Sequence, residues 1–327
     1  MLSQKLLAII QDGFPLVERP YLRLAEMLNV SEQEVFDEVE KMRASGVIRR
    51  IGGVYDSKKL GFISRLCAGK VPPSSLDFSA EPHSQTPMEK FATVVMSEPA
   101  ITHNYIRSHE YNVWFTVIAE NESAIQAVVD RVCSETDLHD VHVLTATKKY
   151  KINTVMGKGT NRHSEDRRAE ESSNFLRTLS EADKFRIHIA CDDIPHTLTP
   201  FKDWGVSCDE LCEDLVAKRM RRFGAILRHQ DAGFPCNAMV CFMLDEGTLA
   251  NSESAGSLLA KKHYVSHCYE RPSFKSFPYN LYAMMHAQTP EELDGFIKES
   301  VSLLDNSEYV VLLSLKELKK TSFRFFA

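Results

Sequence analysis

His103-Asn104-Tyr105-Ile106-Arg107, followed by Tyr111-Asn112-Val113-Trp114, decides how this chain is read, because the pattern occurs twice. The second copy is His267-Cys268-Tyr269-Glu270-Arg271, followed by Tyr279-Asn280-Leu281-Tyr282. Alternate residues of a strand share a face, so His, Tyr and Arg of each run point the same way. A buried strand face ordinarily carries Val, Ile or Leu. A titratable ring, a phenol and a permanent cation placed there are costly unless something polar or anionic meets them. The repeat also divides the chain into two similar halves.

Around the first copy the pattern predicts strands over 62–71, 101–107, 111–119 and 139–145, and helices over 88–97 and 122–133. Residues 148–155 extend the sheet. Around the second copy it predicts strands over 237–244, 264–270, 279–287 and 309–315, and helices over 254–262 and 290–304. Both orders are βαββαβ, which is ferredoxin-like. Upstream of the first, Leu6, Leu7, Ile9 and Ile10 mark one helix and residues 21–28 a second. A third runs over 32–44, opened by a Ser31/Glu34 capping box. Arg49-Arg50-Ile51-Gly52-Gly53-Val54-Tyr55 follows as strand and turn. Upstream of the second, helices over 179–190 and 208–221 run into Arg221-Arg222-Phe223-Gly224-Ala225-Ile226-Leu227. Short helices followed by a β-wing outline a winged helix-turn-helix. The fold class is therefore α+β, two tandem copies of a winged helix-turn-helix plus a ferredoxin-like domain. The winged units cover 1–60 and 179–232, and the ferredoxin-like domains 61–155 and 233–327. Residues 156–178, polar and glycine-bearing, read as a linker.

The composition limits the function classes. Of 327 residues, 43% are hydrophobic and 26% charged, as in a soluble globular protein. No apolar run of about 18 residues predicts a membrane span, and the N-terminus lacks a signal-peptide layout, so a cytoplasmic chain is expected. The eight cysteines form no CxxC. Cys208 and Cys212 would share a helix face but lack partners at metal-ligand spacing, and all eight read as free thiols of a reducing compartment. A net charge of -6 argues against a nucleic-acid partner. The third helix, where a winged unit would read DNA, sets Glu32, Glu34, Asp37, Glu38 and Glu40 against Lys41 and Arg43. Phosphate neutralisation needs the opposite balance.

A winged helix followed by a ferredoxin-like domain is the plan of the Lrp/AsnC regulators. The particular motifs resemble something narrower, the sirohaem decarboxylases. They are Arg49-Arg50-Ile51-Gly52-Gly53, His103–Arg107 with Tyr111–Phe115, Arg221–Ala225, Arg228-His229, Ala232-Gly233-Phe234, Asn237–Val240 and Ser266–Pro272. The likeness spans nearly the whole chain apart from the linker and the 73–87 loop. The first half resembles the A-type subunit and the second the B-type, here fused. The resemblance implies a carboxy-lyase that takes the C12 and C18 acetate groups of sirohaem to methyl groups. Its product is 12,18-didecarboxysirohaem, on a route to haem or haem d1. It implies no dissociable organic cofactor, since the iron arrives with the substrate. It also implies a pseudo-heterodimer within one chain, with a further homodimer as an option.

The residues suit such a ligand, a large apolar disc edged with carboxylates. Arg50, Arg107, Arg222, Arg228 and Arg271 are candidates for bidentate carboxylate clamps. His103 and His267 are candidates for the proton donor, with Tyr105 and Tyr269 beside them. His103, His267 or His229 would meet the substrate iron. Tyr55, His109, Tyr111 and Tyr279 complete the expected binding set, and Met284-Met285-His286 reads as core. Both halves carry the run, so either face, or a composite of the two, fits the sequence. Two other classes compete, a DNA-binding regulator of the Lrp/AsnC type and a non-catalytic tetrapyrrole sensor.

Overall fold

A computed structural model describes residues 2–72, 86–136, 138, 140–152, 179–227, 236–245, 247, 254–320 and 323–326. They fall into two units. One is Met1–Leu60, Val155–Gly233 and Arg324–Ala327; the other is Gly61–Thr154 and Phe234–Phe323. The expected linker and the residues Arg228 and His229 lie outside the described residues.

The first unit brings the helical parts of both halves together. From the first half come α1 (Leu2–Asp12), α2 (Pro20–Leu28), α3 (Glu32–Ala44) and β1 (Ile48–Tyr55). Pro20 opens α2, and Asn29, left-handed at φ 55°, closes it. In α3 the Ser31/Glu34 capping box forms, and Val35, Val39 and Met42, spaced on one face, are buried.

β1 finds its partner in the other half. It pairs antiparallel with β7 (Met220–Leu227), with Gly52 opposite Gly224. The Arg-Arg-x-Gly motif explains itself here. A Cβ at Gly52 would collide with the carbonyl of Asp192, and one at Gly224 with that of Ile10. Only glycine lets a helix end of one half lie on the strand of the other.

The second half contributes α6 (Glu181–Ala190), α7 (Pro200–Trp204) and α8 (Cys208–Val216). The sequence pattern carries the last of these on to Arg221, but the helix stops at Val216. Lys218 turns left-handed at φ 56°, and Met220 is drawn into pairing with Tyr55. The five-residue α7, closed by Gly205 at φ 69°, is too short to show periodicity and was not foreseen.

The second unit holds both βαββαβ repeats. The first is β2 (Ile63–Gly69), α4 (Pro87–Ser97), β3 (Ile101–Arg107), β4 (Val113–Ala119), α5 (Glu122–Thr136) and β5 (Val141–Leu144), continued by β6 (Lys148–Ile152). The second is β8 (Cys236–Phe242), α9 (Ala255–Ala260), β9 (Val265–Glu270), β10 (Leu281–Ala287), α10 (Pro290–Leu303) and β11 (Tyr309–Lys320). Among the described residues the strands run β5-β2-β4-β3-β11-β8-β10-β9-β6.

Each half ends by completing the other. β11 pairs with β8 over Tyr309–Leu313 and then with β3 over Ser314–Lys320. β6, leaving β5, pairs with β9. The helices cover one face of each half through separate apolar cores, one around Phe91 and Phe115 and one around Phe242 and Leu281. The two helix-free faces close on a third core. There Ala68, Tyr111, Trp114 and Leu144 meet Met239, Cys241, Phe277, Tyr282 and Leu312.

Candidate functional site

Strand alternation places the repeated motifs. On β3, Ile106 joins the helix-side core, and Ile101 does so because the register shifts between it and His103, so His103, Tyr105 and Arg107 take the other face. On β9, Cys268 does the same, as does Val265 across a matching register shift, leaving His267, Tyr269 and Arg271 on the face of the third core.

Arg107 is 4% exposed. It donates to the carbonyl of Leu312 at 3.1 Å and to Ser314 Oγ at 2.9 Å, with its Cζ 5.0 Å from the Tyr105 ring centre. Arg271 mirrors it, donating to the carbonyl of Leu144, with its Cζ 5.0 Å from the ring of Tyr269 and 5.9 Å from that of Tyr282. Among the described residues neither guanidinium has a carboxylate within ion-pair distance, and the Nε of each lacks a hydrogen-bond acceptor. Burial pulls Arg107 down to about 10 and lowers Arg271 as well. Cys241, fully buried among them, is raised by burial while both guanidinium groups oppose that rise. Two largely desolvated cations, one from each half, without an internal anion among the described residues, form a place suited to an anionic ligand.

The histidines lie further along the same strands. His103 Nδ1 is 2.9 Å from Thr102 Oγ1, and His267 Nδ1 is 2.9 Å from Ser266 Oγ. The His267 and Tyr269 rings are stacked, with centres 6.2 Å apart. These interactions orient each imidazole through one nitrogen.

The turn residues of the two motifs belong to a different cluster. His109 accepts from the Tyr111 amide at 3.0 Å, and burial lowers it below its ordinary 6.5. The Tyr111 hydroxyl is 3.1 Å from Asp140 Oδ2, 3.3 Å from His142 Nε2 and 2.5 Å from Ser276 Oγ, with Lys70 Nζ 4.3 Å from its ring centre. Burial would raise Asp140, but hydrogen bonds from His142, Tyr111 and Lys70 outweigh it and leave the carboxylate below its ordinary range. A hairpin of the second half covers this cluster, with the Phe274 ring stacked 3.8 Å from that of His142. Tyr279, at the matching place of the second half, packs edge-on against Phe277 at 4.8 Å and is raised by burial. Lys70, Asp140, His142 and Ser276 were not singled out from sequence. The Asp140-x-His142 alternation on a strand was the available signal.

The remaining candidates belong to the first unit. Arg50, 9% exposed and lowered by burial to about 10, donates to the carbonyls of Gly53 at 3.2 Å and Asp192 at 3.4 Å. Arg222 donates to the carbonyls of Ala225 at 3.1 Å and Gln11 at 2.5 Å. Each thus caps the end of a helix contributed by the opposite half. The Tyr55 hydroxyl donates to Asp214 at 3.0 Å, inside a buried network with Arg186 and Arg219. Among the described residues no cluster of His, Cys, Asp and Glu is arranged to hold a metal ion, and no helix is long and apolar enough to cross a membrane.

Comparison with known proteins agrees with this architecture. The family model "AsnC-like ligand binding domain" matches residues 59–151 and 231–319, and "Siroheme decarboxylase NirDL-like HTH domain" matches residues 3–49. The chain is 31% identical to a siroheme decarboxylase of Hydrogenobacter thermophilus, over 99% of this chain and 94% of that protein. It is 42% identical to the siroheme decarboxylase alpha subunit of Desulfovibrio desulfuricans, over 46% of this chain and 80% of that one. A crystal structure of the siroheme decarboxylase NirDL in complex with an iron-uroporphyrin III analogue superposes with a TM-score of 0.68 at 29% identity, covering 100% of this chain and 95% of that one. The chain belongs to the sirohaem decarboxylase family.

Proposed function

We propose that this chain is a carboxy-lyase that removes the C12 and C18 acetate carboxyl groups of sirohaem, giving 12,18-didecarboxysirohaem for haem or haem d1 synthesis. The observation that carries the reading is the pair of desolvated guanidinium groups, buried Arg107 and half-buried Arg271, without carboxylate partners among the described residues and beside a histidine on each strand. Arg107 and Arg271 hold substrate carboxylates, and Tyr105 and Tyr269 keep those guanidinium planes in place. One histidine gives the proton that replaces the departing carbon dioxide, a role worth about 10²–10⁴-fold. The other meets the substrate iron. No dissociable cofactor enters, because the electron-poor macrocycle itself takes up the charge left on the methylene.

A DNA-binding role is disfavoured by the first turn of α3, which presents Glu32 and Glu34 where base contacts would be made. The test is anaerobic incubation of the purified chain with sirohaem, followed by mass spectrometry of the tetrapyrrole. Stepwise loss of two carboxyl groups is expected. Sirohaem that stays bound with its mass unchanged would make the chain a sensor or carrier instead.

A further inference from the structure

The two halves match in fold and differ in what stands behind their histidines. The Ala100 carbonyl accepts from the Ile118 amide at 2.9 Å, and the Tyr264 carbonyl accepts from the His286 amide at 3.0 Å. Ile118 and His286 are therefore register equivalents, as are Thr102 and Ser266, which precede the two histidines. In the second half Ser266 Oγ lies 2.9 Å from His267 Nδ1 and 2.7 Å from His286 Nε2. Ser266 is 7% and His286 9% exposed, so the inner two members are largely shielded from water while His267 is half-buried. In the first half the position of His286 is an isoleucine, which cannot carry a proton.

We propose that Ser266 and His286 are positioning residues that relay a proton to His267, and that the acetate groups are protonated on this second-half face. The proposal rests on the decarboxylase reading. In each turnover the bond between the acetate methylene and its carboxylate breaks and carbon dioxide leaves. The electron pair left on the methylene takes the proton of His267 Nε2. His267 Nδ1 then accepts the Ser266 hydroxyl proton, and Ser266 Oγ takes one from His286 Nε2. One proton is consumed overall: His286 Nδ1 takes it up from solvent as Nε2 gives, and once the product has left, His267 Nε2 is reprotonated while the Nδ1 proton returns along Ser266 to His286 and leaves from its Nδ1, which restores the starting tautomers with no oxidant or reductant involved.

The test measures kcat and KM for sirohaem by mass spectrometry in the full chain and in Ser266→Ala, Ser266→Thr, His286→Leu and Thr102→Val. Ser266→Ala and His286→Leu are expected to lower kcat by about 10-fold or more with KM nearly unchanged, the signature of a lost proton-transfer contribution. Ser266→Thr, which keeps the hydroxyl, is expected to recover most of the rate, and Thr102→Val to cost less than Ser266→Ala. Recovery by threonine separates the relay from a packing defect. Wild-type kcat in Ser266→Ala, equal slowing in Ser266→Thr, or a larger loss in Thr102→Val would each overturn the relay alone. A wild-type chain that leaves the mass of sirohaem unchanged would overturn the decarboxylase reading and the relay with it.

Discussion

Arg107 and Arg271 stand out in the sequence as candidates because a cation on a buried strand face is expensive, and two in parallel are hard to excuse. What the sequence does not display is how each is held. The carbonyls of Leu312 and Leu144 come from strands more than a hundred residues away in the chain. A planar guanidinium can grip a carboxylate with two parallel hydrogen bonds while stacked on a tyrosine, which an ammonium cannot do. Arg107→Lys and Arg271→Lys are therefore each expected to lower kcat/KM for sirohaem by about 10-fold or more, measured by product mass. His109 carries a pH prediction. Its folded value is depressed by burial, so its contribution to stability is complete above the ordinary 6.5 and declines as pH falls through its lowered value. The melting temperature of the wild type is expected to fall more steeply between about pH 7 and 5 than that of His109→Asn, whose side chain can still accept from the Tyr111 amide. Parallel slopes would remove His109 from this role.

At the scale of elements, periodicity found the long helices and the alternating strands of both halves. It failed where local conformation overrode it, at the five residues of α7 and at the left-handed Lys218 that ends α8 early. It also could not tell an arginine with no carboxylate beside it from one that caps a helix. Arg50 and Arg222 sit in a repeated motif just as Arg107 and Arg271 do, yet their guanidinium groups meet helix-end carbonyls. The network around Asp214, which is fully buried, was invisible for the same reason, since Tyr55, Arg186 and Arg219 converge on it only after folding. Removing one member of a buried ionic network leaves the others uncompensated. Asp214→Asn is expected to destabilise the chain by about 3–5 kcal/mol, read from denaturant unfolding. A loss under about 1 kcal/mol would mean that water reaches the arginines.

For the whole molecule, the repeat announced two copies of one plan, and the structure shows how thoroughly they are exchanged. β1 pairs with β7, β6 with β9, and the end of β11 with β3. A chain cut once between residues 155 and 178 is accordingly expected to elute as a single particle containing both fragments, checked by size-exclusion chromatography under native conditions. Fragments that separate would show that these pairings are weak. The same exchange sets an order on biosynthesis. Arg107 bonds to Ser314, 207 positions later, near the end of the chain. While the ribosome is still adding the second half, β3 presents a bare hydrogen-bonding edge together with the residues of the first-half face. Such an edge invites pairing with other nascent chains, and so remote a partner makes closure slow. Expression at lower temperature or with chaperone support should therefore raise the soluble yield of this chain, and a stop codon placed just before β11 should drive it into aggregates.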